Sequence, residues 1–157
     1  EQLKYRLHVG GVLVTEGCGS LTQLGASAHW SGEIEGQVCF QNTLIRLRGK
    51  PEVSVSDYSY QWARHAFESG LFASLASGTN IFHIGSTRLA EVPVVALTLE
   101  EQMLFVDQMT AVDQVAESAR TAASAAHTMS SQLADALLSG VHRIPDTYDV
   151  VMRRATG

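Results

Sequence analysis

The longest regular pattern of apolar and polar positions runs from Thr98 to Gly140, with no glycine or proline inside it. Thr98 and Glu101 have the S/T-x-x-E spacing of a capping box, which satisfies backbone amides at a helix start. Gly140 suits the left-handed position just past a helix end. The pattern therefore predicts one helix over residues 98–140, about 60 Å long at about 1.5 Å per residue.

Apolar residues recur along this predicted helix at the spacing typical of a coiled-coil seam. Large side chains dominate the two ends, and alanines dominate the middle, where two backbones approach closely. The seam predicts a partner helix, such as the same helix of a second copy of the chain. The predicted interface comprises Met103, Val106, Met109, Val112, Ala119, Ala126, Met129 and Leu133. A solvated helix stabilised by alanine propensity alone is the alternative.

The chain before residue 98 alternates short apolar runs with glycine-containing turns, which predicts a small α/β head with a mixed sheet. Residues 12–15 form a predicted buried strand, and residues 37–50 form a long strand that would bury Cys39. A further short strand is predicted at residues 81–84. Residues 94–97 form the last extended segment before the long helix.

Helical spacing of apolar residues predicts helix between residues 53 and 77, broken into two pieces at Gly70. Its apolar face is expected to belong to the core. That face comprises Tyr58, Trp62, Ala66 and Phe67. Ser86 is expected to cap one more helical turn before Pro93.

The charge of the chain is unevenly distributed. The 157 residues include 11 basic and 16 acidic side chains, for a net charge of −5. Seven basic and eight acidic residues precede residue 99, whereas four basic and eight acidic residues follow from there. We therefore expect a near-neutral head over residues 1–97, the helix over 98–140 and a short tail over 141–157. This is not the basic signature of a protein that binds nucleic acid by charge alone.

Few residues suggest catalysis or metal binding. Cys18 and Cys39 have no metal-ligand spacing and no disulfide framework, which fits a reducing cytoplasm. The scattered histidines predict no metal site, and no apolar run is long enough to cross a membrane. A buried Cys39 would be inert, whereas Cys18 in a glycine-rich loop could meet His29 or His83 in a thiol enzyme. The residues favour a binding or scaffolding protein over a catalyst.

Two polar stretches adjoin glycines and flank predicted strands. Their displayed side chains are those of Ser20, Thr22, Gln23, Thr79 and Asn80. The lysine and following hydroxyl residue of a phosphate-binding P-loop are missing, which argues against nucleotide binding. Gln41 and Asn42 interrupt the predicted long strand as either a core network or a polar reader, and we favour the structural role.

Three stretches in this order and spacing resemble the second half of a target recognition domain. They read GGVLVTEGCGSLTQLGASAHW, VCFQNTLIRLR and GTNIFHIGSTRLAEVPVVALTLEEQ. The helix that begins LEEQ is similar to the conserved spacer helix that follows such a domain, and LLSGVHRIPDTYD is similar to the segment that ends such subunits. The family is that of the specificity subunits of type I restriction-modification systems.

The resemblance implies a non-catalytic chain that recognises double-stranded DNA for a methyltransferase subunit and a restriction subunit that translocates DNA. No cofactor is implied on this chain, because S-adenosylmethionine binds the methyltransferase partner. A full subunit has two recognition domains separated by two antiparallel spacer helices, so this chain is expected to be part of one. Base edges are read by polar side chains on shaped loops. The expected DNA contacts are Ser20, Thr22, Gln23, Thr79 and Asn80. The alternative is a coiled-coil adaptor whose head binds protein.

Overall fold

A computed structural model of the protein describes residues 5–141. This part of the chain is a small antiparallel-sheet head followed by a long helix, so the predicted fold class is confirmed. Residues 142–157, most of the predicted tail, lie outside the described residues. The chain divides into two compact units, Glu1–Thr110 and Ala111–Gly157.

Nine helices and strands are found in the described residues. In chain order they are β1 (Gly11–Thr15), β2 (Gly17–Cys18), β3 (Ser27–Trp30), β4 (Leu44–Leu47), α1 (Ser56–Glu68), α2 (Leu71–Ser74), β5 (Phe82–His83), α3 (Ser86–Ala90) and α4 (Leu99–Leu138). Strands β3, β1 and β4 form one antiparallel sheet in that order, and β2 pairs with β5 in a second. No helix within residues 5–141 is both long and apolar enough to span a membrane.

Strand β1 lies at the centre of the three-stranded sheet, and it contains the buried strand predicted over residues 12–15. Side chains alternate between the two faces of a strand, and those of Val12 and Val14 are fully buried in the core. The same buried apolar cluster includes Ala63 and Ala66 of α1 and Phe72 of α2. The core therefore forms where α1 and α2 cover one face of the sheet.

The predicted long strand over residues 37–50 is wrong. Strand β4 covers Leu44–Leu47 only, because a turn in which the Leu44 N–H donates to the Gln41 carbonyl oxygen precedes it. Gln41 and Asn42 are exposed at this turn and belong to no core network. Cys39 is also exposed, so the expected burial of its thiol is wrong.

The predicted helical region is confirmed as two pieces. Helices α1 and α2 are separated at Gly70, whose φ of 77° places it in the left-handed region. Tyr58 and Ala66 are buried, whereas Trp62 and Phe67 are half-buried against the core. The apolar face of α1 is therefore a packing face.

The cap predicted at Ser86 is wrong. Gly85 is the residue that precedes α3, and no side chain caps this helix. Ser86 is instead the first helical residue. Because Gly85 has no side chain, it cannot accept a hydrogen bond from the first backbone amides of this short helix.

Helix α4 begins and ends within two residues of its predicted bounds. The backbone N–H of Thr98 donates to the Glu101 carboxylate at 2.8 Å, and the N–H of Glu101 donates to the Thr98 hydroxyl at 3.3 Å. Gly140 has a φ of 73°, as expected past the helix end. Local signals in the sequence therefore set both ends of the helix.

Candidate nucleic-acid interface

The pairing of β2 with β5 brings the two polar stretches to one place. Gly17 lies opposite His83, and Cys18 lies opposite Phe82, in antiparallel register. Because the strands run in opposite directions, the residues after Cys18 and those before Phe82 lie at the same end of the pair. Residues 20–23 and 79–80 therefore leave the same end of this strand pair, and we call them the polar edge.

The first loop of the polar edge is held by its own hydrogen bonds. The hydroxyl groups of Ser20 and Thr22 are 2.9 Å apart, and the Gln23 N–H donates to the Ser20 carbonyl oxygen at 3.1 Å. The next residue, Leu24, is fully buried in the core. The side chains of Ser20, Thr22 and Gln23 are exposed, so this anchored loop presents three polar groups to solvent.

The second loop is the tip of a tight hairpin. Ser77 and His83 exchange backbone hydrogen bonds of 3.0 and 2.9 Å. Gly78 has a φ of 103°, and a Cβ atom there would overlap the Ile81 carbonyl oxygen, so this turn requires glycine. Thr79 and Asn80 are exposed at the tip, and their polar groups are available to a ligand.

The arginines of the head contribute to internal contacts. The Arg46 guanidinium lies 5.1 Å from the centre of the Phe40 ring and donates to the Arg6 carbonyl oxygen at 2.6 Å. Burial lowers the pKa of Arg46, and the nearby positive charge of Arg48 lowers it further. Arg88 donates to the Leu75 carbonyl oxygen at 2.6 Å. The Arg46 and Arg88 side chains therefore each donate to a backbone carbonyl group of the head.

Cys18 and His29, two of the residues considered for thiol chemistry, each have a contact outside a Cys–His pair. The Cys18 thiol donates to the Ser20 carbonyl oxygen at 2.9 Å. His29 Nε2 is 3.1 Å from Asp57 Oδ1, which links β3 to α1. Within residues 5–141, no group of three or more His, Cys, Asp or Glu side chains could hold a metal ion.

The predicted interface of α4 is largely uncovered in this single chain. Val112, Met129 and Leu133 have exposed fractions of 59%, 69% and 57%. Met103, Ala119 and Ala126 are also exposed, whereas Val106 and Met109 are half-buried. Apolar side chains recurring along one helix face favour burial against a partner helix.

One structurally important residue was missed by the sequence analysis. Gln102 is among the most buried polar residues of the described chain. It lies in the first turn of α4, directly after the acidic residues Glu100 and Glu101. Its position three residues after Leu99 and four before Val106 places it on the apolar side of the helix. That spacing is the signal that could have identified it.

No protein-family model matches the chain, and no curated protein matches its sequence.

Proposed function

We propose that this chain is part of a specificity subunit of a type I restriction-modification system. In this proposal the head recognises double-stranded DNA through the polar edge. The observation that carries the proposal is the antiparallel pairing of β2 with β5, which brings two polar stretches far apart in sequence to one end of a strand pair. Each stretch adjoins a glycine, and each presents exposed polar side chains.

The side chains of the polar edge suit direct reading of bases. Amide side chains such as those of Gln23 and Asn80 donate and accept at once, so each can bind an adenine edge in the major groove through two hydrogen bonds. Hydroxyl groups such as that of Thr79 donate to or accept from any base. The bond between Ser20 and Thr22 holds the first loop in one shape, which lowers the entropy lost when it binds.

The charge distribution supports a shared DNA interface. Affinity that does not depend on sequence comes from neutralised phosphates and falls with salt. The head is close to neutral, so we propose that the methyltransferase and restriction subunits supply most phosphate contacts. The isolated chain is then expected to bind DNA weakly. In this proposal it acts in the cytoplasm, catalyses nothing and binds no cofactor, because S-adenosylmethionine binds the methyltransferase subunit.

Helix α4 serves in this proposal as the spacer between two recognition domains. Its exposed apolar residues would pack antiparallel against a second spacer helix, or against α4 of another copy. Large residues at both ends and alanines in the middle suit close approach of two helices. The length of the paired helices would then set the distance between the two DNA half-sites.

A coiled-coil adaptor is the second candidate. The observation that favours it is the run of exposed apolar residues where α4 begins, Met103, Leu104 and Phe105, with exposed fractions of 38% or more. In an adaptor, the head would bind a protein, and the polar edge would have no role in DNA recognition. Such a chain would bind a partner helix equally well, so helix pairing does not distinguish the two candidates.

The deciding experiment is co-purification of the full chain with a candidate methyltransferase subunit, followed by mapping of methylated DNA. We expect a stable complex that methylates one defined sequence. The methyltransferase subunit expressed without this chain is the control, and it should methylate no defined sequence. Identical methylation with and without the chain would contradict DNA recognition and favour the adaptor.

A further inference from the structure

One buried side chain, that of Gln102, joins the first turns of α4 to the head. It is 2% exposed. Its Oε1 accepts a hydrogen bond from the Val55 N–H at 3.0 Å, and its Nε2 donates to the carbonyl oxygens of Val53 and Leu97 at 2.9 Å each. Gln102 thus binds the extended backbone before α1 as a neighbouring strand would, through one N–H and one carbonyl group.

The apolar packing beside Gln102 is not completely filled, so by itself it would allow the first turns of α4 to take other orientations against the head. Phe105 lies three residues further along the helix and contacts the Tyr58 ring edge to face, with the ring centres 5.8 Å apart. A cavity of about 250 Å³ opens beside this contact, with Trp62 and Val95 in its wall. Incompletely filled apolar contacts tolerate shifts, whereas hydrogen bonds require defined distances and angles. The three bonds of Gln102 are therefore the more directional restraint.

We propose that Gln102 is a positioning residue that fixes the rotation of the first turns of α4 against the head. Its bonds would hold Leu104, on the opposite and exposed side of these turns, at a set angle to the polar edge. This inference rests on the proposed function, in which the arrangement of recognition domain and spacer helix selects the spacing of two half-sites. A buried, fully bonded polar group can specify one arrangement where an apolar group would allow several.

Two substitutions separate hydrogen bonding from size. Gln102→Met keeps the length of the side chain and removes all three bonds. Gln102→Glu keeps the acceptor for the Val55 N–H but removes both donors and places a carboxylate in a buried position. The matched controls are Gln108→Met and Gln108→Glu, because Gln108 lies on the same helix and is exposed.

The direct test measures a distance distribution within the first compact unit. Spin labels are placed at Ala28→Cys and Thr110→Cys, two exposed positions, in the full chain with Cys18→Ser and Cys39→Ser. In samples diluted with excess unlabelled chain, which removes distances between two copies, we expect one narrow distribution for the chain with unsubstituted Gln102 and for both Gln108 variants. Both Gln102 variants should give a distribution at least twofold wider. Equal widths in all chains, or a broad distribution in the parent, would overturn the inference.

If a Gln102 variant does not fold, hydrogen exchange of the Val55 amide in the parent chain tests the same proposal. In the parent chain this amide should exchange as slowly as those of β1, because its acceptor is buried. Exchange at the rate of an unprotected amide would overturn the inference. Circular dichroism of each variant shows which of the two measurements applies.

The functional consequence is tested on DNA with two half-sites separated by different lengths. In the complex with the methyltransferase subunit, we expect the parent chain to favour one spacing and the Gln102 variants to accept several. An equally sharp preference in the variants would overturn the role in spacing. Failure of the parent complex to recognise any DNA sequence would instead remove the proposed function, while the distance measurement would still test the positioning by Gln102.

Discussion

Thr98 and Glu101 cap the start of α4 reciprocally. Besides the two bonds that involve their backbone amides, the Thr98 hydroxyl donates to the Glu101 carboxylate at 2.8 Å. The two hydrogen bonds that Thr98 donates to the carboxylate lower the pKa of Glu101, and the one from the Thr98 backbone is the largest cause. The folded chain therefore favours the ionised carboxylate.

The first prediction is that this cap weakens in acid. A lowered pKa in the folded state means that the contribution of Glu101 to stability is present above the ordinary value of 4.5 and is lost as pH falls through the folded pKa. Glu101→Gln keeps an acceptor but loses the charge, so it should melt at a lower temperature than the parent at pH 7. The difference should vanish in strong acid, as followed by circular dichroism.

Glu100→Gln is the control for the cap. Glu100 lies in the same first turn and shares the favourable interaction with the helix dipole. It should therefore show a smaller difference from the parent at pH 7. Equal effects of the two substitutions would mean that the dipole, rather than the capping bonds, accounts for the role of Glu101.

Some features encoded within a few residues were predictable, although the cap at Ser86 and the turn at Gln41 were not, and a feature that depends on a distant partner was missed. The capping box at Thr98 and the break at Gly70 each depend on neighbours in the chain. The strand over residues 37–50 failed, because apolar content alone did not reveal the turn at Gln41. The burial of Gln102 depends on the backbone of Val55, which lies 47 residues away in sequence. Hydrophobic pattern carries no information about that pairing.

The candidate site shows the same division. The polar side chains were identified by their glycine-flanked loops, but pairing of β2 with β5 is needed to place them together. Two-residue strands such as β2 and β5 are too short to show alternation of apolar and polar residues. Gly17 and His83 are therefore neighbours that no periodicity in the sequence could have indicated.

The second prediction concerns the packing beneath the first loop of the polar edge. Gly25 has a φ of 85°, and a Cβ atom there would overlap the ring of Phe72, which is fully buried. Gly25→Ala therefore combines backbone strain with overpacking of the core. We expect a loss of about 2–4 kcal/mol in the free energy of unfolding, as measured by urea denaturation.

Gly36→Ala is a closely matched control. Gly36 has a φ of 93°, and a Cβ atom there would contact nothing within 4 Å. Only backbone strain applies, so we expect a loss of about 1 kcal/mol. If the two substitutions cost the same, Phe72 does not pack tightly against Gly25.

The third prediction concerns the choice of DNA sequence. Gln23 is exposed on the polar edge, and its amide is suited to bind a base edge. In the complex with the methyltransferase subunit, Gln23→Ala should relax or abolish site choice, with about 1–3 kcal/mol of discrimination lost. Methylation mapping measures this change. Gln132→Ala, at an exposed position of α4, is the control, and unchanged site choice in Gln23→Ala would exclude Gln23 as a reader.

The last prediction concerns self-association through α4. An isolated helix gains little stability from propensity and needs a packed face. Val112, Met129 and Leu133 are mostly exposed, and each side chain brings about 1.5–3 kcal/mol when fully buried. We therefore expect the chain alone to form an antiparallel two-fold dimer. The double substitution Val112→Glu and Ala119→Glu places charge in the middle of the seam and should yield monomers in sedimentation experiments.

The control double substitution is Gln114→Glu and Thr121→Glu. These exposed positions have the same seven-residue spacing but lie on the opposite face of the helix, at about 100° per residue. They add the same charge and should leave the dimer intact. Loss of the dimer in both double variants would point to general charge repulsion in an acidic helix. A monomeric parent at high micromolar concentration with its helix fully formed would contradict pairing through this seam, because Val112 and Leu133 would then remain in water.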